Sequence, residues 1–168
     1  MVTRCRTVLI VMSSLLVGLV GLAGCGQEST SQATATDQTD QYQAPEFLAK
    51  SLPEIVEDLN GGSLTSEELV RGYLDRIESI DADGPTLRSV LAVNPDALDE
   101  ARQLDQLRRE GKMLGPMHGV PILLKDNIES KDPLPTTAGS FALAENLTLR
   151  DAPLVAELRA AGAIILGK

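Results

Sequence analysis

Hydrophobic and polar positions divide the chain into an apolar leader, a polar stretch and a regularly patterned region. Residues 8–22 are mostly apolar, whereas residues 26–44 consist largely of Gln, Ser, Thr, Ala, Asp and Gly without apolar periodicity. A stretch of that composition cannot bury enough apolar surface to fold. We therefore predict a leader over residues 1–24, a flexible tether over 25–44 and a folded domain over 45–168.

Helical signals recur through the patterned region. Thr65 and Glu68 have the spacing of a capping box, and apolar residues then follow at helical intervals. Asn94 can cap a helix that starts at the next residue, a proline. The predicted helices run from Pro53 to Leu59, from Thr65 to Ile80, from Pro95 to about Gly111, and from Pro153 to Gly162.

Three apolar runs predict strands: Leu87–Val93, Val120–Leu124 and Ala163–Leu166. The second and third are nearly continuous and are bounded by turn residues, which is typical of strands buried on both faces of a parallel sheet. With the helix from Pro153 between them, they form a βαβ unit with a right-handed connection. The fold class is therefore α/β. We also expect Ala163–Leu166 to leave an exposed apolar edge that promotes association and poor solubility.

Composition excludes several kinds of function. The chain has 15 basic and 24 acidic residues and a net charge of −9, which disfavours binding to nucleic acid phosphates. Its one histidine, His118, and its two cysteines cannot build the usual zinc sites or a framework of several disulfides. We expect no metal, no cofactor and no nucleic acid partner.

The leader has the layout of a secretory signal. Arg4 and Arg6 precede the apolar run, which ends in Leu22-Ala23-Gly24-Cys25. This ending resembles the lipobox of bacterial lipoproteins. The resemblance implies cleavage before Cys25, a lipid on its sulfur, and a location in the cell envelope on a membrane. The alternative is an uncleaved transmembrane helix, since residues 8–24 lie near the lower limit of about 17 residues for a span.

Lys125 directly follows the predicted strand Val120–Leu124. Functional groups gather at the carboxyl ends of strands in open α/β sheets, so this position suggests chemistry. A lysine accepts a proton only as the neutral amine, which burial favours. Position alone leaves a second interpretation open, because a lysine that ends a strand is usually solvated. Asp126 and Asn127 are in the first instance turn formers.

Four longer segments resemble the opening third of amidase signature enzymes. They are Gly115–Ile128, Thr136–Ser140, Arg150–Ala152 and Leu158–Lys168. The resemblance extends over about residues 52–168. It implies the amino-terminal portion of the amidase signature fold, a mixed or parallel sheet flanked by helices.

The resemblance also implies an activity. Amidase signature enzymes hydrolyse carboxylic amides, including peptide amides, through a Ser-cisSer-Lys triad and an acyl-enzyme. Their lysine corresponds to Lys125. The resemblance gives no catalytic role to His118, Ser140 or Lys168, and the sequence has no Gly-x-Ser-x-Gly nucleophile elbow.

In that family both serines follow the Leu-Gly-Lys element, which here is Leu166–Lys168. We therefore expect a truncated amidase that is inactive alone. One alternative is a non-catalytic, lipid-anchored α/β binding module. Another is a relative of the A-type component of glutamyl-tRNA amidotransferase, which the lipobox disfavours because tRNA is cytosolic.

Overall fold

The computed structural model of the chain describes residues 42–168. Within this range the elements follow one another as helices, then a strand, a helix and a second strand. They are α1 (Leu52–Gly61), α2 (Ser66–Arg76), α3 (Ala97–Arg109), β1 (Pro121–Leu123), α4 (Pro153–Ala160) and β2 (Ile164–Gly167). A π-helical turn, Ile77–Ala82, extends α2, and short 3-10 turns occupy Glu46–Ala49 and Phe141–Leu143. The four predicted helices are confirmed.

The starts of α2 and α3 show how far local capping residues determine where a helix begins. The Thr65 hydroxyl accepts a hydrogen bond from the Glu68 amide at 3.2 Å, and the Glu68 carboxylate accepts one from the Thr65 amide at 2.9 Å. The predicted capping box of α2 is thus confirmed. The start of α3 differs, because Asn94 accepts from the Asp96 amide and donates to the Ile165 carbonyl at 2.8 Å. Asn94 therefore ties the start of α3 to β2, and the helix begins at Ala97.

The two strands pair in parallel, as predicted for the βαβ unit. Pro121 lies opposite Ile164 and Ile122 opposite Ile165, and an irregularity then places Leu123 opposite Gly167. Pairing continues beyond β1, where the Leu124 amide donates to the Gly167 carbonyl at 2.9 Å. The carboxyl ends of both strands therefore meet at one edge.

The predicted strand Leu87–Val93 is wrong. An isolated antiparallel bridge joins Val93 to Gly167, but Arg88, at a φ of 53°, breaks the extended backbone. The Asp81 carboxylate accepts hydrogen bonds from the amides of Ser89 at 2.7 Å and Val90 at 3.0 Å. These amides are thus taken by a side chain from the end of the preceding helical turn, and they are not available to a ladder.

β2 is buried on both faces, as predicted, whereas the same prediction for β1 is wrong. The expected exposed edge of β2 is also wrong, because the segment around Val93 bonds along it. Ile164 and Leu166 pack with residues of α2 and α3, while Ile165 packs with the α4 residue Val155. The neighbours of β2 are β1 on one side and the segment around Val93 on the other. The exposed apolar residue of the pair lies in β1, where Leu123 is 48% exposed.

A mostly buried ion-pair cluster holds the long connection between β1 and α4. Arg159 of α4 binds the Asp132 carboxylate at 2.9 Å and the Asp151 carboxylate at 3.0 Å. Both acids lie in the connection, and the Ala152 amide also donates to the Glu129 carbonyl at 3.0 Å. The connection is therefore pinned to α4 near both of its ends.

The predicted leader and nearly all of the tether, including Cys25, lie outside the described residues. Among residues 42–168, no helix combines the length and the hydropathy needed to cross a bilayer.

Candidate functional site

Lys125 lies at the carboxyl edge of the strand pair. The preceding residue, Leu124, is buried and bonded to Gly167, whereas Lys125 itself is exposed. The Lys125 carbonyl accepts from the Ile128 amide at 2.9 Å, which closes a turn around Asp126 and Asn127. The turn-former interpretation of these two residues is confirmed. Within the described part of the chain, the Lys125 ammonium has no hydrogen-bonding or ion-pair partner, so it is solvated.

Asp126 binds the segment Thr136–Ser140 from across the edge. Its carboxylate accepts a short hydrogen bond from the Thr137 hydroxyl and a longer one, 3.3 Å, from the Gly139 amide. Burial raises the pKa of the Asp126 carboxyl, but these hydrogen bonds stabilise the charged form and together lower the pKa below its usual value. Asp126 is therefore held as a carboxylate beside Lys125.

The segment that Asp126 binds has a strained backbone. Ala138 has a φ of 50° and Gly139 a φ of 77°, so two successive residues are left-handed. For an alanine this conformation costs about 1–2 kcal/mol. Such strain persists where surrounding contacts hold it, and here it lies next to the candidate site.

Lys168 approaches the same segment from the end of β2. Its side chain is buried, and its ammonium donates to the Thr136 hydroxyl at 2.6 Å and to the Pro135 carbonyl at 3.2 Å. Burial lowers the pKa of Lys168, and the carboxylates of Asp126, Asp132 and Glu129 partly oppose that effect. The amine of Lys168 is thus engaged inside the protein, in contrast to that of Lys125.

The histidine lies at the opposite, amino end of the strands. His118 Nδ1 accepts from the Leu114 amide at 3.1 Å, so Nε2 carries the proton and donates to the Leu104 carbonyl at 2.9 Å. Both ring nitrogens are used by backbone groups and the ring is buried. This environment agrees with the structural role expected for His118.

The carboxyl edge thus holds Lys125 together with Thr136, Thr137 and Lys168, which no sequence pattern identified as a group. Thr136, Thr137 and Lys168 belong to segments that carry the family resemblance. Their contacts join residues that are far apart in the sequence: 11 positions separate Asp126 from Thr137, and 32 positions separate Thr136 from Lys168. Ser140 lies in the same segment with an exposed side chain. In residues 42–168 no cluster of His, Cys, Asp and Glu has the arrangement of a metal site.

Comparison with known proteins agrees with this geometry. The profile of the Amidase family matches residues 68–168. A protein of Arabidopsis thaliana named as a probable amidase is 48% identical over 111 residues, 65% of this chain and 21% of that protein. A putative amidase of Schizosaccharomyces pombe is 38% identical over 137 residues, 79% of this chain and 23% of its own length.

Solved structures give the same result for the fold. The native peptide amidase of Stenotrophomonas maltophilia superposes with a TM-score of 0.69 and 45% identity, covering 73% of this chain and 25% of that one. The chain therefore spans about a quarter of the length of the relatives it matches. The family match contains β1, Lys125, α4 and β2 in one continuous stretch. The chain belongs to the amidase family.

Proposed function

We propose that this chain supplies the amino-terminal part of an amidase that hydrolyses linear carboxylic amides, with Lys125 as the base of a Ser-cisSer-Lys triad. The observation that carries the proposal is the state of Lys125. It follows a residue that bonds to β2, it is exposed, and no described group occupies its ammonium. Its amine is thus free to face a serine hydroxyl from another part of the protein.

The proposed mechanism is the one that the resemblance to amidase signature enzymes implies. A neutral Lys125 amine accepts the proton of the cis-serine, which in turn deprotonates the nucleophilic serine. The nucleophile attacks the amide carbonyl, the proton taken up by the cis-serine and Lys125 passes to the leaving nitrogen, and ammonia or an amine departs. Water then attacks the acyl-enzyme and releases the acid, which returns the proton to the nucleophilic serine. Lys125 needs a less polar environment than the described residues provide, because desolvation favours the neutral amine.

The substrate class follows from the relatives. The Stenotrophomonas maltophilia enzyme that is 45% identical to this chain is a peptide amidase. Small-molecule and peptide amides are therefore the proposed substrates. Assembly with a tRNA-dependent amidotransferase is disfavoured by the lipobox-like Leu22–Cys25 segment, which directs the chain away from the cytosol.

The activity can be tested in a chimera. Residues 52–168 replace the corresponding segment of the Stenotrophomonas maltophilia peptide amidase, and ammonia release from peptide amides is measured. Lys125→Ala should abolish turnover, whereas the exposed Lys131→Ala is the matched control and should leave it near the parent level. A folded, active chimera that is unaffected by Lys125→Ala would contradict the proposal. By itself, the 168-residue chain should release no ammonia.

The proposed location is the cell envelope, with the chain anchored in a membrane through a lipid on Cys25. The support is the order of Arg4, Arg6, the apolar run and the Leu22–Cys25 ending. Palmitate labelling of the expressed chain should be lost in Cys25→Ala and retained in Cys5→Ala. Labelling that persists without Cys25 would overturn the anchor.

A further inference from the structure

The carboxyl edge of the strands holds two lysines in opposite states. Lys125 is exposed and Lys168 is buried, with 4% of its surface accessible. A buried ammonium is costly unless its hydrogen bonds are satisfied. The contacts of Lys168 therefore indicate what its burial achieves.

Both hydrogen bonds of the Lys168 side chain go to one segment. The Lys168 ammonium donates to the Thr136 hydroxyl and the Pro135 carbonyl at 2.6 and 3.2 Å. Thr136 is held further by Asn146, since its amide donates to the Asn146 carbonyl and its carbonyl accepts from the Asn146 side chain at 3.0 Å. The amide, the carbonyl and the hydroxyl of Thr136 thus each have a hydrogen-bond partner.

Thr137, the next residue, connects this anchored segment to the turn that carries Lys125. The Thr137 hydroxyl donates to the Asp126 carboxylate, and Asp126 directly follows Lys125 in the turn closed by Ile128. On the other side of Lys125, the Leu124 amide is bonded to the Gly167 carbonyl, next to Lys168. The backbone of Lys125 is therefore fixed from both sides while its ammonium stays free.

We propose that Lys168 is a positioning residue, which anchors the strained segment Pro135–Gly139 through Thr136 and thereby holds Asp126 and the turn that carries Lys125. Its functional meaning rests on the proposed role of Lys125. Lys168 itself transfers no proton, because its amine is engaged by Thr136 and Pro135. The charged groups that act on it electrostatically are the carboxylates of Asp126, Asp132 and Glu129.

The test uses the 168-residue chain and measures no turnover, so it is independent of the amidase proposal. Amide hydrogen exchange and the carboxyl titration of Asp126 are followed by NMR in Lys168→Met and in the control Lys131→Met, whose side chain is exposed. In Lys168→Met, the residue 136 amide should exchange about tenfold faster, while the Ile164 and Leu69 amides keep wild-type rates.

The titration is a second signature, which reports the charge of Lys168 and the hydrogen bonds that Asp126 accepts. Without the nearby ammonium and with a looser segment, the pKa of Asp126 should rise in Lys168→Met and stay unchanged in Lys131→Met. Thr136→Val removes the acceptor but keeps the charge, and it should also speed exchange at residue 136 selectively. It decides the matter if Lys168→Met fails to fold. Unchanged exchange at residue 136, or equal acceleration at Ile164 and Leu69, would overturn the proposal.

Discussion

His118 and Lys125, at the two ends of the parallel strands, are in opposite situations. At the amino end, His118, Asp105 and Arg108 are largely withdrawn from water and bonded to backbone groups or to each other. At the carboxyl end, Lys125 is exposed and its ammonium has no partner among the described residues. These amino-end side chains are thus enclosed and bonded, whereas at the carboxyl end one exposed ammonium has no partner among the described residues.

This difference separates structural from chemical roles. A buried polar group that has its hydrogen bonds stabilises the fold, and removing its partner leaves an unsatisfied group at a cost. An exposed amine at the carboxyl edge contributes little to folding, yet it can meet a substrate or a further catalytic group. Substitutions at the two ends should therefore give opposite patterns of stability and activity.

The largest effect is expected for Asp105→Ala at the amino end. The Asp105 carboxylate accepts from the Ser66 amide at 2.8 Å and the Glu67 amide at 3.0 Å, and it pairs with Arg108 at 2.8 Å. Its loss leaves the start of α2 without these two acceptors and the mostly buried Arg108 without its counterion. The free energy of unfolding, from urea titration followed by circular dichroism, should fall by about 3–5 kcal/mol.

Asp99→Ala is the matched control on the same helix. Asp99 pairs with Arg102, but its side chain is 73% exposed, so the free energy of unfolding should change by about 0.5 kcal/mol or less. Equal losses in the two variants would remove the distinction between a mostly buried ion pair and a surface pair.

A smaller loss is expected for His118→Phe. Phenylalanine keeps an aromatic ring but offers no acceptor to the Leu114 amide and no donor to the Leu104 carbonyl. The same urea titration should show a decrease of about 1–3 kcal/mol in the free energy of unfolding. In the active chimera, this variant should retain turnover when folded; loss of turnover with unchanged stability would give His118 a chemical role.

The carboxyl end should show its own dependence on pH through Asp126. The folded state holds the pKa of Asp126 below its ordinary value of about 3.9. The carboxylate therefore stabilises the fold above about pH 4, and this contribution is lost as the pH falls through the folded-state pKa. Urea midpoints of Asp126→Asn should lie below the wild type at pH 7 and converge with it in acid. A deficit that does not depend on pH would contradict this assignment.

The smallest effect on stability is expected for Lys125→Met. The side chain is exposed and has no partner among residues 42–168, so the free energy of unfolding should change by about 0.5 kcal/mol or less. The same substitution should abolish turnover in the active chimera. A large loss of stability would instead assign Lys125 to the framework, with the amino-end cluster.

Local patterns predicted much of the fold. The capping box at Thr65 and the apolar runs flanking α4 act over a few residues, and the structure confirms α2, β1 and β2. The strand predicted over Leu87–Val93 failed because the amides of Ser89 and Val90 bond to Asp81, a side chain from the preceding helical turn. Strand propensity alone does not register such competition for backbone donors.

The candidate site was predictable in part, for a related reason. Lys125 could be predicted because the apolar run before it and the motif Gly115–Ile128 around it consist of consecutive residues. Lys168 and Thr136 could not be joined in advance, since 32 positions separate them and their contact depends on the parallel pairing of β1 with β2.

The amino-acid sequence by itself determined the helical periodicities, the capping box of α2, the positions of the two strands and the family resemblance, because each depends on residues close together in the chain. The tertiary structure alone decided that the segment around Val93 covers the edge of β2, that backbone groups bond both ring nitrogens of His118, and that Lys125 is exposed while Lys168 is buried. Burial and hydrogen-bond partners are set by distant segments that pack together, and these two quantities determine whether a polar side chain supports the fold or remains available for chemistry.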